Sequence, residues 1–262
     1  MQIEEKDREL FDRIVSAYAR KDVIPVCALP RKELLLAAFK PLLQESPRLG
    51  RLLEVGCGVG AAARYLDGRY ETYLGIDHSP KMIEAARIFN RGNERAEFLT
   101  ADIKTVDLTG SSVDTILANG ALHHIPDLDA VMDSLVRLSG PGCRILAIEP
   151  QNGNPLIQVM RFIRKKVDRA YSRDQVFFSE HELTALFARH GVSGISVRYL
   201  GYFSPPFAQV IFRPQFIFLP LGRLSSRLDA WLSGHLPGIF RKLSFNIVIS
   251  GVFLKLPPQK TI

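Results

Sequence analysis

Residues 52–60 read L-L-E-V-G-C-G-V-G, and this stretch decides the fold. An apolar strand over 51–55 empties into a turn with glycines at 56, 58 and 60, and an alanine-rich run over 61–66 opens a helix. Glycines at such a turn let the backbone take positive φ and approach a ligand with no Cβ in the way. The helix that follows offers free N–H groups at its start, which suit an electronegative partner. Nineteen residues past Gly58, a second strand over 72–76 ends in Asp77. A carboxylate there is placed to accept hydrogen bonds from a ribose diol. The pattern predicts a nucleoside-binding crevice. Gly56, Gly58 and Ala61 also satisfy G-x-G-x-x-G/A, so a nicotinamide dinucleotide and a ligand-free turn both stay open at this point.

From Phe98 the chain reads F-L-T-A-D-I, a third strand ending in Asp102 and Ile103, an acid–apolar pair suited to an adenine edge and ring. A fourth strand over 113–118 ends in Asn119 and Gly120 and is followed by A-L-H-H-I-P-D. A helix begins near Asp127, and Pro141 and Gly142 lead into a fifth strand over 144–148, capped by Glu149 and Pro150. Strands and helices alternating at short spacing predict a parallel sheet covered on both faces. Polar residues gather at the carboxyl ends of its first four strands, where open α/β sheets bind ligands.

Together these stretches resemble the class I S-adenosylmethionine-dependent methyltransferases, of the type 11-like kind. The resemblance covers roughly residues 50–150 and rests on several motifs in order: E-V-G-C-G-V-G, G-I-D-H-S-P-K-M, T-A-D-I, L-A-N-G-A-L-H-H-I-P-D and P-G-C-R-I-L-A-I-E-P. It implies an α/β fold with a Rossmann-like, seven-stranded sheet, mostly parallel with the last strand antiparallel, and helices on both faces. It implies S-adenosyl-L-methionine as cofactor, with Glu54, Gly56, Gly58 and Gly60 around the methionine part. Asp77 then takes the ribose, His78 and Met82 lie beside the adenine, Asp102 and Ile103 at the adenine edge, and Asn119 near the sulfonium. Cys143 departs from the family, which often has a second glycine before strand five.

Methyl transfer from a sulfonium is an in-line displacement that depends on positioning and needs no metal. Cys27, Cys57 and Cys143 are scattered, with no C-x-x-C pair and no clustered histidine ligands. Three thiols and a charged start, M-Q-I-E-E-K-D-R-E, fit a reducing cytoplasm better than a disulfide framework. The 262 residues suffice for one elaborated domain. We expect a helical cap over 1–48 and the methyltransferase domain over 49–262, with insertions at about 150–178 and 203–244.

In the cap, Leu10, Ile14, Ala17 and Tyr18 make a stripe on a helix ending near Asp22. Pro25 and Pro30 bracket an expected loop, and a second helix covers 31–43. His123 and His124 stand just beyond strand four, where a histidine suits general-base work on a hydroxyl or amine. His124 is the first candidate and His123 the second. Tyr18 is a third, because phosphoethanolamine methyltransferases pair such a histidine with an N-terminal tyrosine.

After Pro155 the sequence predicts a helix, and from 161 to 173 six basic residues face one acid. A helix start at Ser179 (S-E-H-E), strand six over 195–202 and strand seven over 245–255 follow. Residues 201–245 hold nine of the chain's 24 aromatics and carry five basic residues against Asp229 alone. These two basic insertions exceed the whole-chain charge of +7, so the remainder is slightly acidic. The late, proline-broken insertion reads as a packed lid or as a peripheral membrane contact, for which 155–173 and 204–243 are the segments. A span is excluded by Arg213 and Pro214, and nucleic acid is disfavoured. The expected acceptor is small, apolar or lipid-linked, with O-methylation favoured. A nicotinamide-dependent oxidoreductase and a non-catalytic cofactor-binding or partner-binding protein are the alternatives.

Overall fold

The computed structural model describes residues 2–108, 112–155, 157–158, 177–236 and 240–254. Five parallel strands come first: β1 (Arg51–Val55), β2 (Thr72–Asp77), β3 (Ala96–Thr100), β4 (Val113–Asn119) and β5 (Ser139–Pro150). With β6 (Val192–Leu200) and β7 (Asn246–Phe253) they form one sheet in the order β3-β2-β1-β4-β5-β7-β6, and β7 is antiparallel to both neighbours. This is the Rossmann-like sheet expected from the sequence. The chain leaves β1 towards β2 on one side and returns to β4 on the other, which opens a crevice above Val55 and Ala118.

Helices α1 (Gln2–Val23), α2 (Pro25–Glu45), α3 (Ala61–Tyr65), α4 (Pro80–Phe89), α5 (Leu128–Leu138) and α6 (Glu180–Arg189) surround the sheet. Leu35, Phe39, Ala62 and Ile83 pack one core on one face, from α2, α3 and α4. Met132, Leu135, Leu183 and Phe187 pack the other, from α5 and α6. Ser179 begins α6 with the expected capping box to Glu182.

Four boundaries differ from the sequence reading. The loop expected between Pro25 and Pro30 is helical, and only Ile24 separates α1 from α2. Pro25 occupies the start of α2, where its missing N–H and fixed φ fit. Pro41 deprives the Ala37 carbonyl of its usual helical donor, and the Arg198 guanidinium replaces it at 3.1 Å while also donating to Ala38 O. Because Leu35, Ala38 and Phe39 belong to the sheet core, α2 is part of the sandwich and α1 alone is a cover. β5 starts at Ser139, since 139–143 continue the pairing through an irregularity at Val113/Thr115, a position that tolerates Pro141. β6 runs from Val192, and Gly201 at φ 76° ends it.

The late insertion breaks at Pro214, as expected, but Pro205 and Pro206 start a helix and Pro220 is carried within one. It forms α7 (Pro205–Gln209) and the long α8 (Gln215–His235), which carries Pro220 within it. No helix among the described residues is long and apolar enough to cross a membrane. The helix expected after Pro155 falls almost wholly on 156 and 159–176, outside the described residues.

Candidate active site

Two cavities meet above the sheet. The first, of about 550 Å³, is lined by the glycine turn, Asp77, Met82, Asp102 and Ile103. The second, of about 810 Å³, lies between α1, residues 148–157 and residues 205–212. Tyr18, Arg31, Asn119, Gly120 and His124 line both.

The glycine turn shapes the first cavity through its backbone. Gly56 has φ 65°, and a Cβ there would lie 2.6 Å from the Ala121 Cβ. Gly58 has φ 52° with open space around a notional Cβ, so its backbone is presented to a ligand. Its N–H donates to Asp77 Oδ2 at 2.9 Å, while Asp77 Oδ1 accepts from Ser79 N at 2.9 Å. The carboxylate is thereby fixed with lone pairs to spare. Gly60 instead backs onto Phe98 and Asn90, outside the cavity wall.

Glu54 is buried on β1 and accepts from the Tyr73 hydroxyl. Burial pushes its carboxyl up to about 8, with the Tyr73 hydrogen bond opposing and the Asp77 and Asp22 charges adding. Met82 is buried on α4, whose start Ser79 caps by accepting from Met82 N at 3.1 Å. Ser79 Oγ also donates to Asp12 Oδ1 at 2.6 Å, tying α1 to this helix. Asp102 and Ile103 lie just beyond β3; Asp102 accepts from Lys104 N at 2.9 Å, and Ile103 is buried. His78 Nε2 is buried with no hydrogen-bond partner, an orphan acceptor or donor at the wall of the cavity. A crevice with a bare glycine backbone, a fixed carboxylate and an orphan polar atom fits a nucleoside bearing an amino-acid tail.

His124 falls at the junction, and His123 lines the second cavity beside it. His123 Nδ1 lies 2.6 Å from Glu149 Oε2, and both groups are buried. Glu149 Oε1 accepts from the Ala121 and Leu122 amides at 3.1 and 2.9 Å, so three hydrogen bonds orient one carboxylate. The His123 ring stacks near Phe177, with centroids 6.2 Å apart, and lies 4.1 Å from the His124 ring. His124 in turn meets the edge of Phe11 at 5.0 Å. Phe11 also approaches His78 and Tyr18, both at 6.5 Å, so α1 roofs the crevice from His78 to His124.

Tyr18 is brought to the junction beneath the Arg31 guanidinium, 5.4 Å from its ring. Arg31 forks onto buried Asp22 at 2.5 and 3.2 Å, and Tyr65 donates to the same carboxylate at 2.9 Å. Burial works against the Arg31 charge, but Asp22 overrides it and holds Arg31 above its ordinary range. The sequence reading missed Phe11, Arg31 and the orienting role of Glu149. Glu149 was visible as the polar end of strand five. The Asp22–Arg31 pair crosses a helix break and left no periodic signal. No group of three or more His, Cys, Asp or Glu side chains able to hold a metal occurs among the described residues.

Residues 53–147 match the family model described as a methyltransferase domain. The chain is 33% identical over 138 residues to trans-aconitate 2-methyltransferase of Variovorax paradoxus, covering 51% of this chain and 49% of that protein. It is 30% identical over 111 residues to 2-heptyl-1-hydroxyquinolin-4(1H)-one methyltransferase of Mycobacteroides abscessus, covering 41% and 49%. These matches span about half the length of either relative. A SAM-dependent methyltransferase of Thermotoga maritima superposes with a TM-score of 0.64 at 19% identity, over 93% of this chain and 98% of that one.

Proposed function

We propose that residues 53–147, which match the methyltransferase-domain family model, are a class I S-adenosylmethionine-dependent methyltransferase domain, and that this chain methylates an oxygen of an apolar, small or lipid-linked acceptor. The observation that carries this reading is the second cavity. Its walls include Leu10, Ile14, Ile148, Pro206, Val210 and Phe212, and it joins the donor crevice at Asn119, Gly120 and His124. An apolar body held there places its polar end at that junction. Two relatives are named for acceptors of different character, a tricarboxylate-type acid and an alkylated hydroxyquinolone. The apolar lining favours an acceptor of the second kind.

Bound S-adenosylmethionine supplies an electrophilic methyl carbon. The protein holds its nucleoside through Gly58, Asp77, Met82 and Ile103, with Glu54 and Arg31 toward the amino-acid tail, and Asn119 at the junction. His123 is the proton acceptor for the acceptor hydroxyl. Glu149 fixes its tautomer by accepting a hydrogen bond from Nδ1–H, which keeps that proton on the ring and leaves Nε2 basic, and it stabilises the imidazolium that results. His124 and Tyr18 orient the acceptor against Phe11.

Calorimetry with S-adenosylhomocysteine and with NADH tests the donor. Labelled methyl transfer to long-chain hydroxyquinolones and phenols tests the acceptor. Binding of NADH instead of the homocysteine nucleoside would overturn the donor assignment, and transfer only to small polyacids would overturn the acceptor class.

A further inference from the structure

Helix α8 is built inside out. At its buried positions the side facing the protein is small and polar: Gly222, Ser226 and Asp229 are buried, and a Cβ on Gly222 would lie 3.5 Å from the Phe207 ring of α7. Asp229 is the only carboxylate between 201 and 245. It is consumed internally, accepting from the Phe203 and Ser204 amides at 2.8 and 3.0 Å and from Ser204 Oγ at 2.5 Å. The opposite side carries Ile217, Leu221, Leu224, Leu228 and Trp231, spaced four, three, four and three residues apart. They form one stripe, and each is 42–53% exposed. Phe216, at 78% exposure, extends the stripe at its start. A water-facing helix normally shows the reverse arrangement, so this stripe has a partner.

Charge selects the partner. Arg223 and Arg227 project one turn apart along the flank of the stripe, and Arg213 precedes the helix. All three are exposed. None lies within ion-pair distance of a carboxylate among the described residues. A second copy docked through this face would bring its own unpaired arginines against them, with no exposed acid on either helix to match. An anionic lipid surface satisfies both features, because an amphipathic helix in the headgroup plane buries its apolar face and places flanking arginines on phosphates.

We infer that the outer face of α8 lies in the headgroup region of an anionic bilayer. The same insertion opens the acceptor cavity towards it, since Val210, half exposed, is also part of the cavity wall beside Phe212. The docking stands on α8 alone. Only the lateral entry of an acceptor rests on the proposed function.

Trp231 is the chain's single tryptophan and lies within the stripe, so it reports directly. The intact protein is mixed with vesicles of phosphatidylcholine, alone or with phosphatidylglycerol, and followed by sedimentation and tryptophan emission. The expected result is pelleting with the anionic vesicles only, a blue shift of Trp231 and quenching by brominated lipid. The double variant R223E/R227E should bind these vesicles at least ~30-fold more weakly, at about fivefold per lost arginine. L224D/L228D should abolish binding, with S-adenosylhomocysteine affinity unchanged in both as the control for folding. Failure to pellet, unchanged pelleting of both variants, or a dimer that L224D/L228D dissolves without any vesicle binding would overturn the inference. Donor affinity would survive each of those results, so they leave the methyltransferase reading intact. Vesicle binding without methyl transfer to any apolar acceptor would overturn lateral entry while leaving the docking.

Discussion

The donor side of the crevice draws on 54–59, 77–82 and 101–103, short runs at the ends of adjacent parallel strands. The acceptor side draws on α1, residues 148–157, 205–212 and 245–246, segments far apart in sequence that meet only in the fold. On the donor side, polar atoms hold one another: Asp77 is bonded to the Gly58 and Ser79 amides before any ligand arrives. On the acceptor side Leu, Ile, Pro and Phe side chains make most of the wall and impose volume rather than direction, with Lys21, Arg31, Gln209 and Asn246 set among them. The contrast separates a recognition device built from backbone, which tolerates few replacements, from one built from interchangeable apolar bulk.

That separation can be attacked residue by residue. The largest effect belongs to Asp77→Ala, which removes two charge-assisted hydrogen bonds and the expected ribose contact. S-adenosylhomocysteine affinity should fall ~100-fold or more by calorimetry. A loss below tenfold would mean the donor side is less preorganised than its geometry implies. Next, His123→Ala and Glu149→Gln should each lower turnover by about 100-fold while donor affinity changes little. Glu149→Gln should also shift the acidic limb of the pH–rate profile, which a merely structural Glu149 would not do. His124→Ala tests the first sequence candidate. A drop of 100-fold there with full activity in His123→Ala would reverse the assignment.

Phe212→Asp is expected to raise the KM for an apolar acceptor about tenfold and leave donor binding unchanged, sharpening the division between the halves. The smallest effect concerns Glu54. Its carboxyl is held at about 8 in the fold against an ordinary 4.5, mainly by burial, so the native state binds an extra proton between those values. The associated stability is complete below about pH 4.5 and is lost as pH rises towards 8. Thermal melting of the ligand-free protein should therefore decline by several degrees across that window, and E54Q should flatten the decline.

The sequence carried the donor side well because its signals are local. Glycines that need positive φ, a carboxylate two positions from a capping serine and strand ends all show within ten residues. It carried the sheet order only through resemblance, since neither periodicity nor turn chemistry states which strands adjoin. Helix α2 was misread because prolines at 25, 30 and 41 are local breakers. The compensation, Arg198 donating to Ala37 and Ala38, comes from a strand 160 positions away. Helix α8 was not legible as a helix for a related reason. Its composition announced an apolar, basic segment, but which face turns inward depends on Phe207 and on the amides that Asp229 serves.

Ser79 starts α4 and, through its hydroxyl, also grips Asp12 of the roof. Ile24 is the single non-helical residue behind that roof. α1 cannot lift from this side of the crevice without breaking the Asp12–Ser79 hydrogen bond, so that bond is expected to slow the exchange of spent nucleoside. Ser79→Ala would then shorten the product's residence time in a stopped-flow chase, speeding both loading and escape.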